Sequence, residues 1–473
     1  MNYIKSLIIM SALVVCLCAC LSAETITQNE FLDRLKQTHP LFVKEKLATQ
    51  IEEKKRLSYL GGQDWSIRSS IYYSHDEPVF AIAGPEKIDA LSFSGGIEKA
   101  IWSTGGRLSA SFSSSYNDLS INPQMGIPDS YFENRLLVSY SHPLLRNSGG
   151  SLDRLEYELA EFDVDLSQVI SLEKEEVFLA QAASRYLDWV LLREQQRIVV
   201  ERHRLSEEEL SRTREKRESN LIDEVDVIRA ENAERVAKQE LLLIETQANA
   251  LKAELAVLLQ DSALVTLEPS YNLYETIKLP SWDDAYNLIM DSSRLLKALT
   301  LRIEQQQLIR TGYAEQDKND LSLITQVGLK NTETSYGNSL AMDIPEVRLG
   351  LQLTFPLGKT TAKANIARTD LVMLQLEKQV QELTIELSST TANLLTQMSQ
   401  LESVLQLNRE QIESAERKTA EELKLYEQGR GELTFVIQSR DSEQAARLTY
   451  AVNALTYHKL LLRLQELTDQ LHQ

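Results

Sequence analysis

The sequence predicts a mostly helical α+β chain, built from very long coiled-coil hairpins and from strands long enough to cross a bilayer. Three observations predict it. First, Ser151 to Glu268 contains no glycine and no proline, and its apolar residues recur at three- and four-residue steps. Leu152, Leu155, Leu159, Phe162, Leu166 and Val169 open that series, and Leu241, Ile244, Ala248, Leu251, Leu255 and Leu258 close it. This spacing marks a helix that buries one stripe against another helix. Second, several runs of ten or so residues alternate apolar and polar with a period of two, the signature of a strand with one face of each kind. Third, the whole order of elements recurs, so the chain reads as an internal two-fold repeat.

In order, the first segment is an apolar run from Leu7 to Leu21 behind Lys5. It is too short for a membrane span and reads as a signal peptide over residues 1–23, cleaved after Ala23. The rival reading is a lipobox at Leu17-Cys18-Ala19-Cys20, with Cys20 acylated. All three cysteines (Cys16, Cys18, Cys20) lie in this segment, so the mature chain is expected to form no disulfide.

The first repeat spans residues 24–280. A helix is expected over 27–60, with Asn29 as N-cap and Gly61-Gly62 as its stop. Strands follow over 64–145. Trp65, Ile67, Ser69, Ile71 and Tyr73 alternate with polar neighbours. Leu108, Ala110, Phe112, Ser114 and Tyr116 do the same, as do Phe132, Asn134, Leu136, Val138 and Tyr140. Leu91, Phe93, Ile97 and Ile101 make a weaker case. Loops are expected at 77–87 and 122–130, and Thr104-Gly105-Gly106 suits a tight hairpin turn. The long helical hairpin covers 151–260. Its break is Arg217-Glu218-Ser219-Asn220-Leu221, where Ser219 and Asn220 can end or cap a helix. The first arm, to about Glu218, is roughly 100 Å long at about 1.5 Å per residue. A connector over 261–280 carries Pro269 and Pro280.

The second repeat spans 281–473. A helix is expected over 281–317 with Ser281 as N-cap, strands over 321–357, and a long helical hairpin over 359–471 broken at Gly429-Arg430-Gly431. The spacing from Pro143 to Asn220 is about 77 residues and from Pro356 to Gly429 about 73, so the two hairpins nearly match.

The chain has 473 residues, 43% of them hydrophobic and 25% charged, and a formal net charge of −19. This composition suits a folded protein. The acidity argues against nucleic acid as a partner, because phosphate binding needs a basic surface. It reads either as a solvated helical surface or as a cation-attracting cavity. No catalytic constellation emerges. The six histidines are scattered without paired metal-ligand spacing, and no phosphate-cradling loop or Gly-x-Ser-x-Gly nucleophile motif is present. No cofactor and no metal are expected. Charge runs such as Glu207-Glu208-Glu209 and Arg212–Arg217 read as solvated helix faces carrying ion pairs.

Four motifs, carried by five stretches, resemble the TolC-like outer membrane efflux family, over nearly the whole mature chain. Phe31-Leu32 with His39-Pro40 is similar to the family's opening helix motif. Pro143-Leu144-Leu145-Arg146 with Gly149, and Pro356-Leu357-Gly358, are similar to its strand-to-helix junctions. Asn220-Leu221 with Val225-Asp226-Val227 and Ala230 resembles the first helix-tip motif, and Leu425-Tyr426-Glu427-Gln428-Gly429 with Leu433 the second. The resemblance implies a homotrimer whose strands share one transmembrane β-barrel in the bacterial outer membrane. It implies helices forming a periplasmic α-barrel tunnel, closed at the tips. It also implies docking to a periplasmic membrane-fusion adaptor and an inner-membrane pump of RND or ABC type. Barrel physics points to a trimer independently: four strands per chain cannot close, open edges cannot exist in lipid, and about twelve strands can close.

Two departures stand out. Asn220 occupies the first-tip position where the family usually has glycine, and asparagine tolerates the left-handed conformation. Phe435 and Gln438 stand where some relatives place entrance aspartates. The first repeat also carries an extra hairpin at about 91–117, which either joins the barrel or packs outside it. Polar groups gather at the tips: Asp223, Glu224, Asp226, Tyr426, Arg430 and Glu432. These are the gate candidates, read either as ordinary helix caps or as an aperture held shut between protomers, with Arg430 or Tyr426 bridging to the 223–226 segment. The functional expectation is an exit duct for efflux or type I secretion without enzymatic activity. The rival is a structural coiled-coil protein of the envelope without a pore.

Overall fold

A computed structural model describes residues 25–78, 85, 87–120 and 128–471. The expected signal peptide with Cys20 lies outside them, as do most of the expected loops at 77–87 and 122–130.

In chain order the elements are β1 (Thr25–Thr27), α1 (Gln28–Thr38), α2 (Pro40–Tyr59), β2 (Ser66–Asp76), β3 (Lys87–Ile101), β4 (Gly106–Ser120) and β5 (Ser130–Pro143). Then come α3 (Ser151–Glu218), α4 (Glu224–Leu259), β6 (Glu268–Ser270), α5 (Trp282–Ser292) and α6 (Arg294–Gln316). The chain ends with β7 (Asp320–Glu333), α7 (Tyr336–Ser339), β8 (Ile344–Thr354), α8 (Thr360–Glu427) and α9 (Leu433–Leu467). Helices α3 and α8 have 68 residues each, about 100 Å at 1.5 Å per residue. No helix among the described residues is long and apolar enough to cross a membrane.

Three elements differ from the sequence expectation, each for a local reason. The helix expected over 27–60 is two helices, because Pro40 sits at the first position of α2 and holds His39 extended at φ −79°, ψ 130°. Its cap is Thr27 rather than Asn29: the Thr27 hydroxyl accepts from Glu30 N, and the Glu30 carboxylate accepts from Thr27 N, a capping box. The helix expected over 281–317 breaks at Ser293, whose hydroxyl accepts from Leu296 N and starts α6. The strands also outnumber the four per chain expected of a barrel. Six form one antiparallel sheet in the order β2-β3-β4-β5-β7-β8. The weakly patterned 91–101 segment belongs to a full strand of 15 residues, Lys87–Ile101, its alternation blurred by Gly95-Gly96 and Lys99.

The chain divides into two compact units. The helical unit takes the chain up to Leu47, Ile170–Leu296, and Glu382 onward. Its core gathers Ile26, Phe31, Leu35, Leu179, Tyr186, Trp189, Leu255, Leu259, Ala454 and Tyr457, all buried. Burying large aromatic and aliphatic side chains of this kind stabilises by about 1.5–3 kcal/mol each. The Tyr186 hydroxyl donates to Ile26 O (2.8 Å) and Ser270 O (3.1 Å), and so ties the β1–β6 parallel pair to α3. The strand unit takes Ala48–Val169 and Lys297–Gln381. In it, Lys55 and Gln305 both reach Asp163 (3.1 and 2.7 Å), and Gly312 lets α6 lie close against Leu155.

Candidate functional site

The residues singled out from the sequence fall into the two tips of the helical unit and the two junctions of the strand unit. At the first tip, α3 ends on Glu218 and the chain turns through Asn220, which is left-handed at φ 56°. Leu221 N then donates to Lys216 O (2.9 Å), closing the turn on the last carbonyls of α3. Asp223 is the N-cap of α4 through its extended backbone, and its side chain makes no capping bond. Glu224 pairs with Arg217 (3.2 Å) and Asp226 with Arg229 (3.0 Å).

At the second tip, Gly429 is left-handed at φ 70°, and Arg430 N and Gly431 N both donate to Leu425 O. A side chain at position 431 would sit 3.0 Å from Tyr426 N. Glu432 is the N-cap of α9, again without a side-chain bond. Arg430 is exposed and has no ion-pair partner among the described residues.

Tyr426 joins the two tips. Its ring packs on a small cluster of Leu210, Ala230 and Leu433, and Lys216 Nζ lies 3.8 Å from the ring centroid. Burial pushes its hydroxyl pKa up. Within this chain Tyr426 therefore meets α3, while Asp226 is engaged by Arg229.

Just behind the tips lies a charged layer that the sequence reading missed. Arg202 is buried and donates to Asp441 (2.7 Å). Arg440 is buried, donates to Leu205 O (3.0 Å) and faces Glu209 (3.8 Å). The run Glu207-Glu208-Glu209 suggests a solvated face for Glu209. It is instead buried, and burial raises its carboxyl pKa against the pull of Arg440. Three consecutive glutamates hide which one faces the partner helix; the heptad phase was the signal. His203 likewise has partners in space. Its Nε2 lies 3.4 Å from Glu234 and 3.8 Å from Glu207, a three-residue group with ligand atoms within 4.8 Å of one another.

The first strand-to-helix junction is tightly built. Pro143 ends β5, and Asn147, Gly149 and Gly150 all have positive φ (63°, 73° and 71°). The Asn147 carbonyl oxygen of the side chain accepts from Leu152 N and Asp153 N, capping α3. Gly149 N donates to Thr104 O (3.2 Å), and Arg154 donates to Trp102 O (3.0 Å). The junction is thus docked on the β3–β4 turn. The second junction is open: Leu357 is 97% exposed, nothing but Thr360 Oγ1 lies within 4 Å of a Cβ at Gly358, and Pro356 is exposed. Lys359 ties it to Asp317.

Across the sheet, register puts like faces together. Ile67, Ile97, Ala110, Val138, Val327 and Val347 lie side by side in one row, and Arg68, Gly96, Ser111, Leu137, Gly328 and Glu346 in the next. These two rows, and those that follow along the strands, are apolar on one face and rich in serine and charge on the other.

The overall fold recurs in solved structures. The chain has the outer membrane channel fold. It is similar to the outer membrane protein VceC from Vibrio cholerae, with a TM-score of 0.65 at 12% identity over 94% of this chain and 95% of that one. The Campylobacter jejuni CmeC outer membrane channel matches with a TM-score of 0.62 at 12% identity, over 94% and 85%. The open state of the Neisseria gonorrhoeae MtrE outer membrane channel matches with a TM-score of 0.62 at 14% identity, over 93% and 88%. No protein-family model and no curated protein sequence matches the chain. At the level of fold, the resemblance read from the four motifs stands.

Proposed function

We propose that this chain is the outer-membrane exit duct of a tripartite efflux or type I secretion system. It works as a homotrimer, with its strands in outer-membrane lipid and its helical unit in the periplasm. It conducts passively, catalyses no reaction and needs no cofactor. A periplasmic adaptor and an inner-membrane pump of RND or ABC type supply the cargo and the energy.

One observation carries this reading. A single apolar face runs across all six strands, the opposite face is polar, and the strands lead directly into helices of 68 residues. Lipid demands the first feature of a barrel wall, water in a lumen the second. A coiled-coil envelope protein without a pore has no use for either face. The fold shared with the outer membrane channels supports the same reading.

In this duct the tips form the entrance. Glu224 and Asp226 are held by arginines of their own chain, while Arg430 is free to reach a neighbouring copy. A ring of such acids in a chain of net charge −19 favours cations. Purified protein in planar bilayers tests the proposal. Stable cation-selective openings from a trimer are expected; a folded helical protein that never inserts would overturn it in favour of the pore-free envelope protein.

A further inference from the structure

Taking the duct reading as its basis, we infer that the extra hairpin β3–β4 is part of the barrel wall. Each chain then contributes six strands, and the closed trimer is an eighteen-stranded barrel with a wide, serine-lined exit.

Three independent observations carry this. The hairpin is hydrogen-bonded on both sides: β3 pairs with β2 from Ser66↔Glu98 to Asp76↔Ile88, and β4 pairs with β5 from Arg107↔Ser141 to Asp118↔Ser130. A hairpin packed outside a wall would leave β2 beside β5; here those two strands are separated by two others.

Next, the faces continue through it without a phase slip. Leu91, Phe93, Ile97, Leu108 and Phe112 share the apolar face with Ile71 and Leu136, whereas Ser92, Ser94, Ser111 and Ser113 share the polar face with Ser70 and Ser139. A one-residue slip would have reversed every side chain. On the apolar face Leu91, Phe93 and Ile97 are 51%, 40% and 42% exposed in the single chain, so the described residues leave them largely uncovered.

Finally, the turn of the hairpin is locked into the frame. Trp102 is buried, Gly149 and Arg154 of the β5–α3 junction bond to Thr104 and Trp102, and a Cβ at Gly150 would meet Trp102 O at 1.8 Å.

Closure follows from the edges. β2 and β8 are each 11 residues long, run in opposite directions, and carry exposed apolar residues on the same face: Ile67 and Ile71 on one, Val347, Leu349 and Leu351 on the other. In lipid neither edge can stay unpaired. A second copy supplies what each lacks, because an even meander puts β2 antiparallel to the β8 of its neighbour. Three copies of six strands give eighteen. With strands about 4.8 Å apart and tilted about 40°, that wall has a backbone radius of about 18 Å, against about 12 Å for twelve strands.

Imaging the full-length oligomer in lipid nanodiscs, with the strands counted in cross-section, tests the inference. Eighteen strands in three-fold arrangement are expected. Twelve strands with 87–120 outside the wall would overturn it while leaving the duct intact. An oligomer with no barrel would overturn the duct reading, and this inference with it. Spin labels at Phe93→Cys, Ser94→Cys, Phe112→Cys and Ser113→Cys give a second readout. Sites 93 and 112 should be more accessible to oxygen, and sites 94 and 113 to a water-soluble relaxant; uniform aqueous access at all four would overturn the inference.

Discussion

The two strand-to-helix junctions of the chain are finished differently. In the first half the strand-to-helix junction is bolted down by three left-handed residues, a capping asparagine and the β3–β4 turn. In the second, Pro356-Leu357-Gly358 stands exposed and one lysine ties it back. The tips differ the same way. The first is held by Arg217–Glu224 and Arg229–Asp226, while in the second Arg430 hangs free. The first junction and tip therefore carry more contacts within the chain than the second, where Pro356-Leu357-Gly358 and Arg430 are exposed.

The largest test of that contrast compares two glycines. Gly150→Ala drives a Cβ to 1.8 Å from Trp102 O at a residue with φ 71°, so a loss of about 4 kcal/mol is expected in urea unfolding. Gly358→Ala meets nothing closer than 3.9 Å and should change stability by less than about 0.5 kcal/mol. Comparable losses would break the contrast. Next come two arginines. Arg440→Met leaves Glu209 buried without its cation and should cost about 3 kcal/mol. Arg430→Ala should leave stability unchanged yet raise single-channel conductance, if Arg430 links copies at the entrance; unchanged conductance would remove it from the gate.

A smaller difference is expected between the turn residues. Gly429→Ala places a side chain at φ 70° with open space around it, costing about 1 kcal/mol, whereas Asn220→Gly should be close to neutral. Thermal melts of the two single variants resolve this.

The smallest effect concerns pH. Burial, with the charge of Asp469 acting the same way, raises the Glu173 carboxyl from 4.5 to about 7. The folded state therefore holds this proton more tightly than the unfolded one. Its contribution is most favourable below pH 4.5 and is lost as pH rises through about 7. Glu173→Gln should flatten that slope and raise Tm at pH 7.5 but not at pH 4.5. A parallel slope in both proteins would assign the dependence to other groups.

Much of this was legible in the sequence because the signals are long. A 68-residue stretch without glycine or proline has few readings, and the bounds of α3 and α4 fall where Ser151, Glu218 and Leu259 suggested. Short-range chemistry was harder. Pro40 was visible but its effect on His39 was passed over, and Ser293 gives no cue stronger than any other serine. Strand β3 was half hidden because Gly95-Gly96 and Lys99 interrupt its alternation. At the tips the residue types were legible, but partner choice was not. Whether Glu209 or Glu208 faces inward depends on helix phase, and that Tyr426 rests on Lys216 depends on how two hairpins approach.

The end of the chain has a consequence for how the molecule is made. Leu471 N donates to Glu176 Oε1 (2.7 Å) across a sequence separation of 295 residues, and Asp469 shares Arg294 with the buried Glu176. This network draws on three distant stretches of sequence, around Glu176, Arg294 and Asp469. Loop-closure entropy makes such contacts slow to form, and here they can close only once Asp469 and Leu471 have been made. A chain halted before Asp469 leaves the half-buried Arg294 short of one carboxylate and the buried Glu176 short of one donor. A product cut short of this stretch is thereby marked by its own unsatisfied charge.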